Sequence, residues 1–250
     1  MKNKLTGKVF QVLELVASSP EPLPIKKIAE RTDLSAATLS RIISDLCEYG
    51  MIEKFGYYQV RPSLGMIRLG QDALTNFSLP RIVTPLLRSH AEAVEADGAF
   101  AGIHQFKVVH IFNTQRAGGA ANIPYWEPLL RSRMAAAILG SRYDDAELDD
   151  MLRTRFAAED PTGRDIVLFI ANCRAVRKNG YIAHREFGRG WSVSFPVPCN
   201  RRDYAVSLFG KNAENCNLDR MIFETSRLAA RLSTALDESK HGTSTPTANR

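Results

Sequence analysis

Cysteine is scarce in this chain and its four copies stand apart: Cys47, Cys173, Cys199 and Cys216 form no CxxC pair. That scatter lacks zinc-ligand spacing and argues against a disulfide framework, so reduced thiols and no bound metal are expected. Long apolar runs are missing too. The opening MKNKLTGKVFQVLELVA has the basic-then-apolar look of a signal sequence. Gln11 and Glu14 interrupt it, and no run reaches the ~18 residues of a membrane span. A cytoplasmic protein without a membrane partner is therefore expected. Catalytic signatures are absent as well: there is no GxSxG, no phosphate loop and no metal-spaced cluster, and His104, His110 and His184 are isolated. An enzyme with an accessory nucleic-acid module is the weaker reading, and no cofactor is expected. Charge of one sign is not concentrated anywhere. Against a net +6 overall, residues 1–75 hold 10 Lys/Arg and 8 Asp/Glu, a net of +2, and residues 76–250 hold 23 and 19, a net of +4. Global basicity says little about partners here; placement of the charges has to carry that inference.

What is present is periodicity. Val9/Val12/Leu13/Val16, Ile25/Ile28/Ala29/Thr32 and Leu39/Ile42/Ile43/Leu46 each follow i, i+3, i+4, i+7, which places one buried stripe on each of three helices. Asp33 and Leu34 separate the second helix from the third, and Ser35 can accept a backbone N–H where the third begins. The layout is a helix-turn-helix. After Gly50, Met51–Phe55 and Tyr57–Arg61 read as two short strands about Gly56, the ribbon of a winged helix.

The third helix leaves Ala37, Thr38, Ser40, Arg41, Ser44 and Asp45 off its buried stripe. A small, polar N-terminal face can enter a major groove about 12 Å wide, where bulk would hold the helix away from the base edges. Arg41 has the fork geometry for guanine O6 and N7 or for a phosphate. Ser35, Thr38 and Ser40 offer hydroxyls. Lys26 and Lys27 on the second helix, with Lys54 and Arg61 around the ribbon, are placed to touch phosphates. A duplex-DNA-binding regulator follows as the leading reading, with Ala37 admitting the groove floor.

These residues resemble the isocitrate lyase regulator (IclR) family of bacterial transcriptional regulators. The resemblance is carried by LPIKKIAERTDLSAATLSRIISDLCEYGMIEKFGYYQVRPSLGMIRLG from Leu23 to Gly70, including TLSRII, YGMIEK and the Leu69-Gly70 pair. It continues more weakly through ILGSRYDDAELDDML (Ile138–Leu152), VRKNGYIAHRE (Val176–Glu186) and SVSFPVP (Ser192–Pro198). It implies an α+β architecture: a winged helix-turn-helix at 1–62, a linker helix at 63–78, a GAF/PAS-like effector-binding and oligomerisation domain at 79–238, and a tail at 239–250. The last stretch, the polar DESKHGTSTPTANR from Asp237, is expected to fray.

The second half reads independently as α+β. Helical spacing runs over Pro80–Val94, Met134–Leu139, Leu148–Phe156, Ile166–Lys178 and Leu218–Leu236. Strands are expected at Ala99–His104 and Val108–Phe112 about a Gln105-Phe106-Lys107 turn, and at Ser192–Val197 and Tyr204–Phe209. Strands bracketing helices suggest one antiparallel sheet. Tyr125 and Trp126 read by default as aromatic core, with closure over a ligand or a dimer contact as the alternatives. The resemblance implies a small-molecule pocket between the sheet and the 114–133 region, with His184, Glu186, Ser192 and Ser207 near the ligand. The chain departs from the family's His-Ala-Thr run and following Gly-Lys, showing Arg131-Ser132-Arg133 and Ala136-Ala137 instead. An anionic effector, such as a carboxylate, held by Arg131 or Arg133 is one reading; two solvated surface arginines are the other. One helix-turn-helix contacts few base pairs, so a homodimer or homotetramer on a palindromic operator is expected. A second domain that only dimerises is the alternative to an effector domain.

Overall fold

Each of the three N-terminal apolar stripes becomes a helix: α1 (Lys4–Ala17), α2 (Ile25–Thr32) and α3 (Ala36–Glu48). The stripes meet in one core of Val12, Val16, Ile28, Leu39, Ile42, Ile43 and Leu46, closed below by Leu34 from the turn. Thr32 is buried within it because its hydroxyl donates to the Ile28 carbonyl at 2.7 Å. Ser35 caps α3, accepting from the Thr38 backbone N–H at 3.2 Å. The ribbon forms as β2 (Ile52–Phe55) and β3 (Gln59–Pro62), turning at Gly56, where φ is +64°. A third strand joins it that periodicity could not reveal. β1 (Leu23–Pro24) pairs antiparallel with β3, Leu23 opposite Val60, giving the order β1-β3-β2. Two residues are too short for an alternation signal, and only the partner strand makes them a strand.

In the computed structural model, residues 4–76, 78–114, 125–186, 190–199, 204–212 and 216–238 are described. The chain divides into two units, Met1–Phe77 and Ser78–Arg250. The helix expected as a linker, α4 (Leu64–Asn76), falls in the first unit. It starts against the turn after α3, where the Gly65 N–H donates to the Gly50 carbonyl at 3.0 Å. A Cβ at 65 would overlap that carbonyl, so this position requires glycine. No residue of α4 is buried.

The second unit is built on a six-stranded antiparallel sheet, in the α+β manner expected. Its strands are β4 (Ala96–His104), β5 (Lys107–Asn113), β6 (Tyr125–Pro128), β7 (Ile182–Glu186), β8 (Gly190–Val197) and β9 (Tyr204–Gly210), ordered β6-β5-β4-β9-β8-β7. Both expected strand pairs are therefore parts of one sheet, joined where β4 pairs with β9. Lys107 belongs to β5, so the hairpin turn is only Gln105-Phe106, with φ of +48° and +59°. Two consecutive positive φ values make a type I′ turn, which side chains other than Asn and Gly rarely adopt. Phe106 is held there by an edge-on contact with Phe156, while Arg155 lies over both rings.

Helices cover both faces. On one, α5 (Ser78–Ala93) and α9 (Leu218–Glu238) bring Val83, Leu87, Leu228 and Leu232 onto Phe100, Val193, Val206 and Leu208. On the other, α6 (Arg133–Gly140), α7 (Asp145–Phe156) and α8 (Arg164–Asn179) pack Ala135–Ala137, Leu148, Leu152, Phe169 and Cys173 against Ala99, Ala101 and Ala205. Small residues on both α6 and the strands let that helix lie close to the sheet. Burial pushes the Cys173 thiol up to about 12, against the opposing charge of Arg177, which leaves it an inert core group. Trp126 corrects the aromatic-core expectation: it lies on edge strand β6, 55% exposed, with the Lys107 ammonium 5.2 Å from its ring centre. The Tyr125 side chain, residues 115–124 of the expected pocket region and the 239–250 tail lie outside the described residues.

Candidate nucleic-acid interface

The core fixes which side of α3 faces out. With Leu39, Ile42, Ile43 and Leu46 buried, Ala37, Ser40, Arg41, Ser44 and Asp45 are exposed and Thr38 is half-buried. Ser35 and Thr38 hydroxyls lie 2.9 Å apart, so both serve the helix start while keeping lone pairs outward. Arg41 has no hydrogen-bond or ion-pair partner among the described residues, and neither do Lys26, Lys27 and Lys54, all exposed. Unpaired cations beside a small-residue helix face are what a polyanion contact requires.

Arg61 is different. Its Nε donates to Glu53 Oε1 at 2.6 Å, and its guanidinium lies 4.9 Å from the centre of the Phe55 ring. An exposed pair of this kind contributes about 0.2–1 kcal/mol, so it competes with a phosphate without forbidding one. Two residues that periodicity passed over stand at the ribbon tip: Tyr57 and Tyr58, 95% and 80% exposed. The signal for them was available, since aromatic residues flanking a turn glycine at a ribbon tip have no core to enter.

In the second unit the sequence-picked residues fall into two groups. His184 on β7 is exposed and faces Ser192 on β8 as its register partner. Ser192 and Ser207 are buried on the α6 side of the sheet. Ser207 is occupied internally, donating to the Val193 carbonyl at 3.1 Å and accepting from Ser194 at 3.0 Å. The Glu186 backbone ends β7, and its side chain lies outside the described residues. The arginines sit after the opposite edge strand: Arg131 ends a 3-10 turn (Leu129–Arg131) and is exposed, while Arg133 opens α6 and is half-buried. β6 and β8 are four strand spacings apart, about 19 Å at ~4.8 Å each.

A cluster missed by sequence reading surrounds Arg133. A bulge in β5 pairs Phe100 with Phe112 but Ala101 with His110, which turns His110 onto the α6 side. There its Nε2 lies 3.3 Å from Glu127 of β6. Burial raises the Glu127 pKa, but hydrogen bonds from His110 and Ser132 and the nearby charges of His110 and Arg133 outweigh it and hold the carboxyl below its ordinary value. Ser132 also caps α6, accepting from the Ala135 N–H at 3.2 Å. Arg133 thus already faces a carboxylate, whereas Arg131 has no partner among the described residues. Among the described residues, no group of three or more His, Cys, Asp or Glu could hold a metal, and no helix is long and apolar enough to cross a membrane.

Residues 6–55 match the IclR helix-turn-helix domain. No curated protein sequence matches the chain. Among solved structures, an IclR family transcriptional regulator from Brucella abortus is similar with a TM-score of 0.76 at 20% identity, over 93% of this chain and 92% of that one. An IclR-type transcriptional regulator from Alicyclobacillus acidocaldarius gives 0.67 at 17%, over 94% and 99%. An IclR homolog from Microbacterium hydrocarbonoxydans, complexed with 4-hydroxybenzoate, gives 0.61 at 14%, over 93% and 98%.

Proposed function

We propose that this chain, which carries an IclR helix-turn-helix domain on the fold of IclR-type regulators, is a transcriptional regulator that reads duplex DNA and answers a small metabolite. The observation that carries the DNA half is the outward face of α3: small, polar, and bearing the Arg41 guanidinium, which has no partner among the described residues. Ala37 and Arg41 meet base edges, with Lys26, Lys27 and Lys54 on flanking phosphates. Arg41→Ala should cost about 1–3 kcal/mol at a selected operator and relax base preference at one position per half-site. Footprinting that shows an equal loss on every sequence reassigns Arg41 to a phosphate.

The surface of α4 supports pairing. Met66, Leu69 and Ala73 share one side of it, and Met66 packs on the reader's own core. Leu64, Ile67 and Leu74 share another side and are exposed. A helix apolar on two sides supports a second cover, and the same face of a second copy supplies it while presenting two readers to a palindromic operator. A homodimer, or a dimer of such dimers, is the proposed assembly. The proposed division is a reader through residue 62, a connecting helix over 63–78 and a ligand-answering unit over 79–238.

The effector is proposed to be a carboxylate. Two things support this: Arg131, which ends the 3-10 turn before α6 and has no partner among the described residues, and the 4-hydroxybenzoate in the Microbacterium homolog. His184 and Ser192 are register partners on the far half of the sheet, and the bound anion belongs with the arginine. Calorimetric titration with a carboxylate panel that includes 4-hydroxybenzoate tests this. Arg131→Ala should weaken binding more than Arg133→Ala, because Glu127 already balances Arg133. Equal affinity in both variants and the parent removes Arg131 from the site.

A further inference from the structure

A cleft of about 390 Å³ runs between α2, α3 and the wing, and its polar lining is Lys26, Ser40, Ser44, Lys54, Tyr57 and Gln59. No Asp or Glu lines it. In a unit whose charges nearly cancel, with 10 Lys/Arg against 8 Asp/Glu over residues 1–75, an acid-free cleft holding two ammonium groups is a local concentration of positive charge. Its geometry follows from the pairing of β1 with β3. That pairing, with the Ile25 N–H donating to the Tyr58 carbonyl at 2.9 Å, brings the start of α2 beside the ribbon tip. Lys26 and Tyr57, far apart in sequence, therefore face one space. The first turn of α2 has Pro24 at its cap position and no side-chain cap, so beyond the Ile25 N–H taken by Tyr58 its first backbone N–H groups have no side-chain acceptor.

The cleft divides the surface of α3. Ala36, Ser40 and Ser44 are spaced by four and form one stripe along the helix, and all three line the cleft. Ala37 and Arg41 lie about 100° further round the helix. Ala36, Ser40 and Ser44 are all small, which keeps the cleft open between helix and wing.

We infer that this cleft seats one backbone phosphate of the DNA, held by the Lys26 and Lys54 ammonium groups and by the Ser40, Ser44 and Tyr57 hydroxyls. The inference rests on the DNA-binding reading above and refines it. Ser40 then contacts backbone and carries no base preference, leaving readout to Ala37 and Arg41. The tyrosine at the wing tip closes over the phosphate from the ribbon side, a contact made without the Arg61 that Glu53 retains. Arginine is dispensable here because a single phosphate between two ammonium groups needs point charges more than a planar fork.

The test uses the full-length protein and a duplex selected by it, with backbone phosphates replaced one at a time by neutral methylphosphonate. In the parent protein, neutralising the seated phosphate should weaken binding roughly tenfold, the scale of one charge-assisted contact. In Lys54→Gln and Lys26→Gln the same replacement should cost much less, because the partner is already gone. Arg68→Gln, a charge removed from α4, should keep the full penalty. Each cleft lysine should also lower the salt slope of log K by up to about 0.9, which is about a 3.5-fold smaller loss between 50 and 200 mM salt. Ser40→Ala and Tyr57→Phe should weaken all sequences alike and leave the salt slope unchanged. The inference is overturned if every linkage that matters to the parent matters equally to both lysine variants, or if Ser40→Ala alters base preference. A parent protein that selects no duplex at all refutes the DNA-binding reading itself, a distinct outcome.

Discussion

Two glycines five residues apart on α4 should respond to alanine with opposite signs. Around Gly70 a Cβ meets nothing within 4 Å, and the residue lies in the helix interior. Alanine there should stabilise by the ordinary helix-propensity difference, up to about 1 kcal/mol. At Gly65 a Cβ would overlap the Gly50 carbonyl oxygen and crowd the Met51 nitrogen, both backbone atoms that cannot rotate away. The same carbonyl accepts the Gly65 N–H at 3.0 Å. Relieving the overlap moves α4 off the turn, losing a hydrogen bond of about 1 kcal/mol. Residual crowding adds about 1–3 kcal/mol. The favourable propensity offsets up to about 1 kcal/mol of this, so Gly65→Ala should destabilise the first unit by about 1–3 kcal/mol. For a unit of this size that is a fall in Tm on the order of 10 °C, against a rise of a few degrees for Gly70→Ala. The assay separates the units by spectroscopy. Both tryptophans, Trp126 and Trp191, belong to the second unit. Loss of far-UV circular dichroism without a change in tryptophan fluorescence therefore reports the first unit unfolding. If Gly65→Ala is as stable as the parent, α4 does not dock on the Gly50 turn.

Acid should probe the Glu127 cluster. Its folded-state pKa lies below the ordinary 4.5, so the stability it contributes is fully present above that value and is lost as pH falls through the lower folded value. Tryptophan-detected urea midpoints should decline more steeply below about pH 4.5 for the parent than for Glu127→Gln; superimposable pH profiles would show that the carboxylate contributes nothing. Ile67→Glu with Leu64→Glu should shift sedimentation toward monomer and flatten the dependence of DNA binding on protein concentration, since α4 presents both side chains more than half exposed. An unchanged sedimentation coefficient would move the dimer contact elsewhere.

Local features were legible because short-range chemistry alone decides them. The period of 3.6 in Leu39, Ile42, Ile43 and Leu46 defines both the buried side of α3 and, by subtraction, the side that holds Arg41. Ser35 is recognisable as a cap because its acceptor serves an amide three residues away. Glycines were harder to interpret. Gly65 and Gly70 look equivalent in the sequence, and the difference is a carbonyl fifteen residues upstream of Gly65. Likewise Arg131 and Arg133 look like twins, until Glu127 arrives on a neighbouring strand and balances only the second.

Scarce cysteine, interrupted apolar runs and three helical stripes were enough to indicate a helix-turn-helix on an α+β chain, because periodicity and capping act within a few residues along the backbone. Tertiary structure alone decided the rest. The β1–β3 pairing put Lys26 beside Tyr57, the bulge in β5 turned His110 toward Glu127, and Glu53 drew Arg61 along the wing. Each of these joins residues on different elements. Such contacts depend on strand register and on which partner arrives, and no local pattern encodes either.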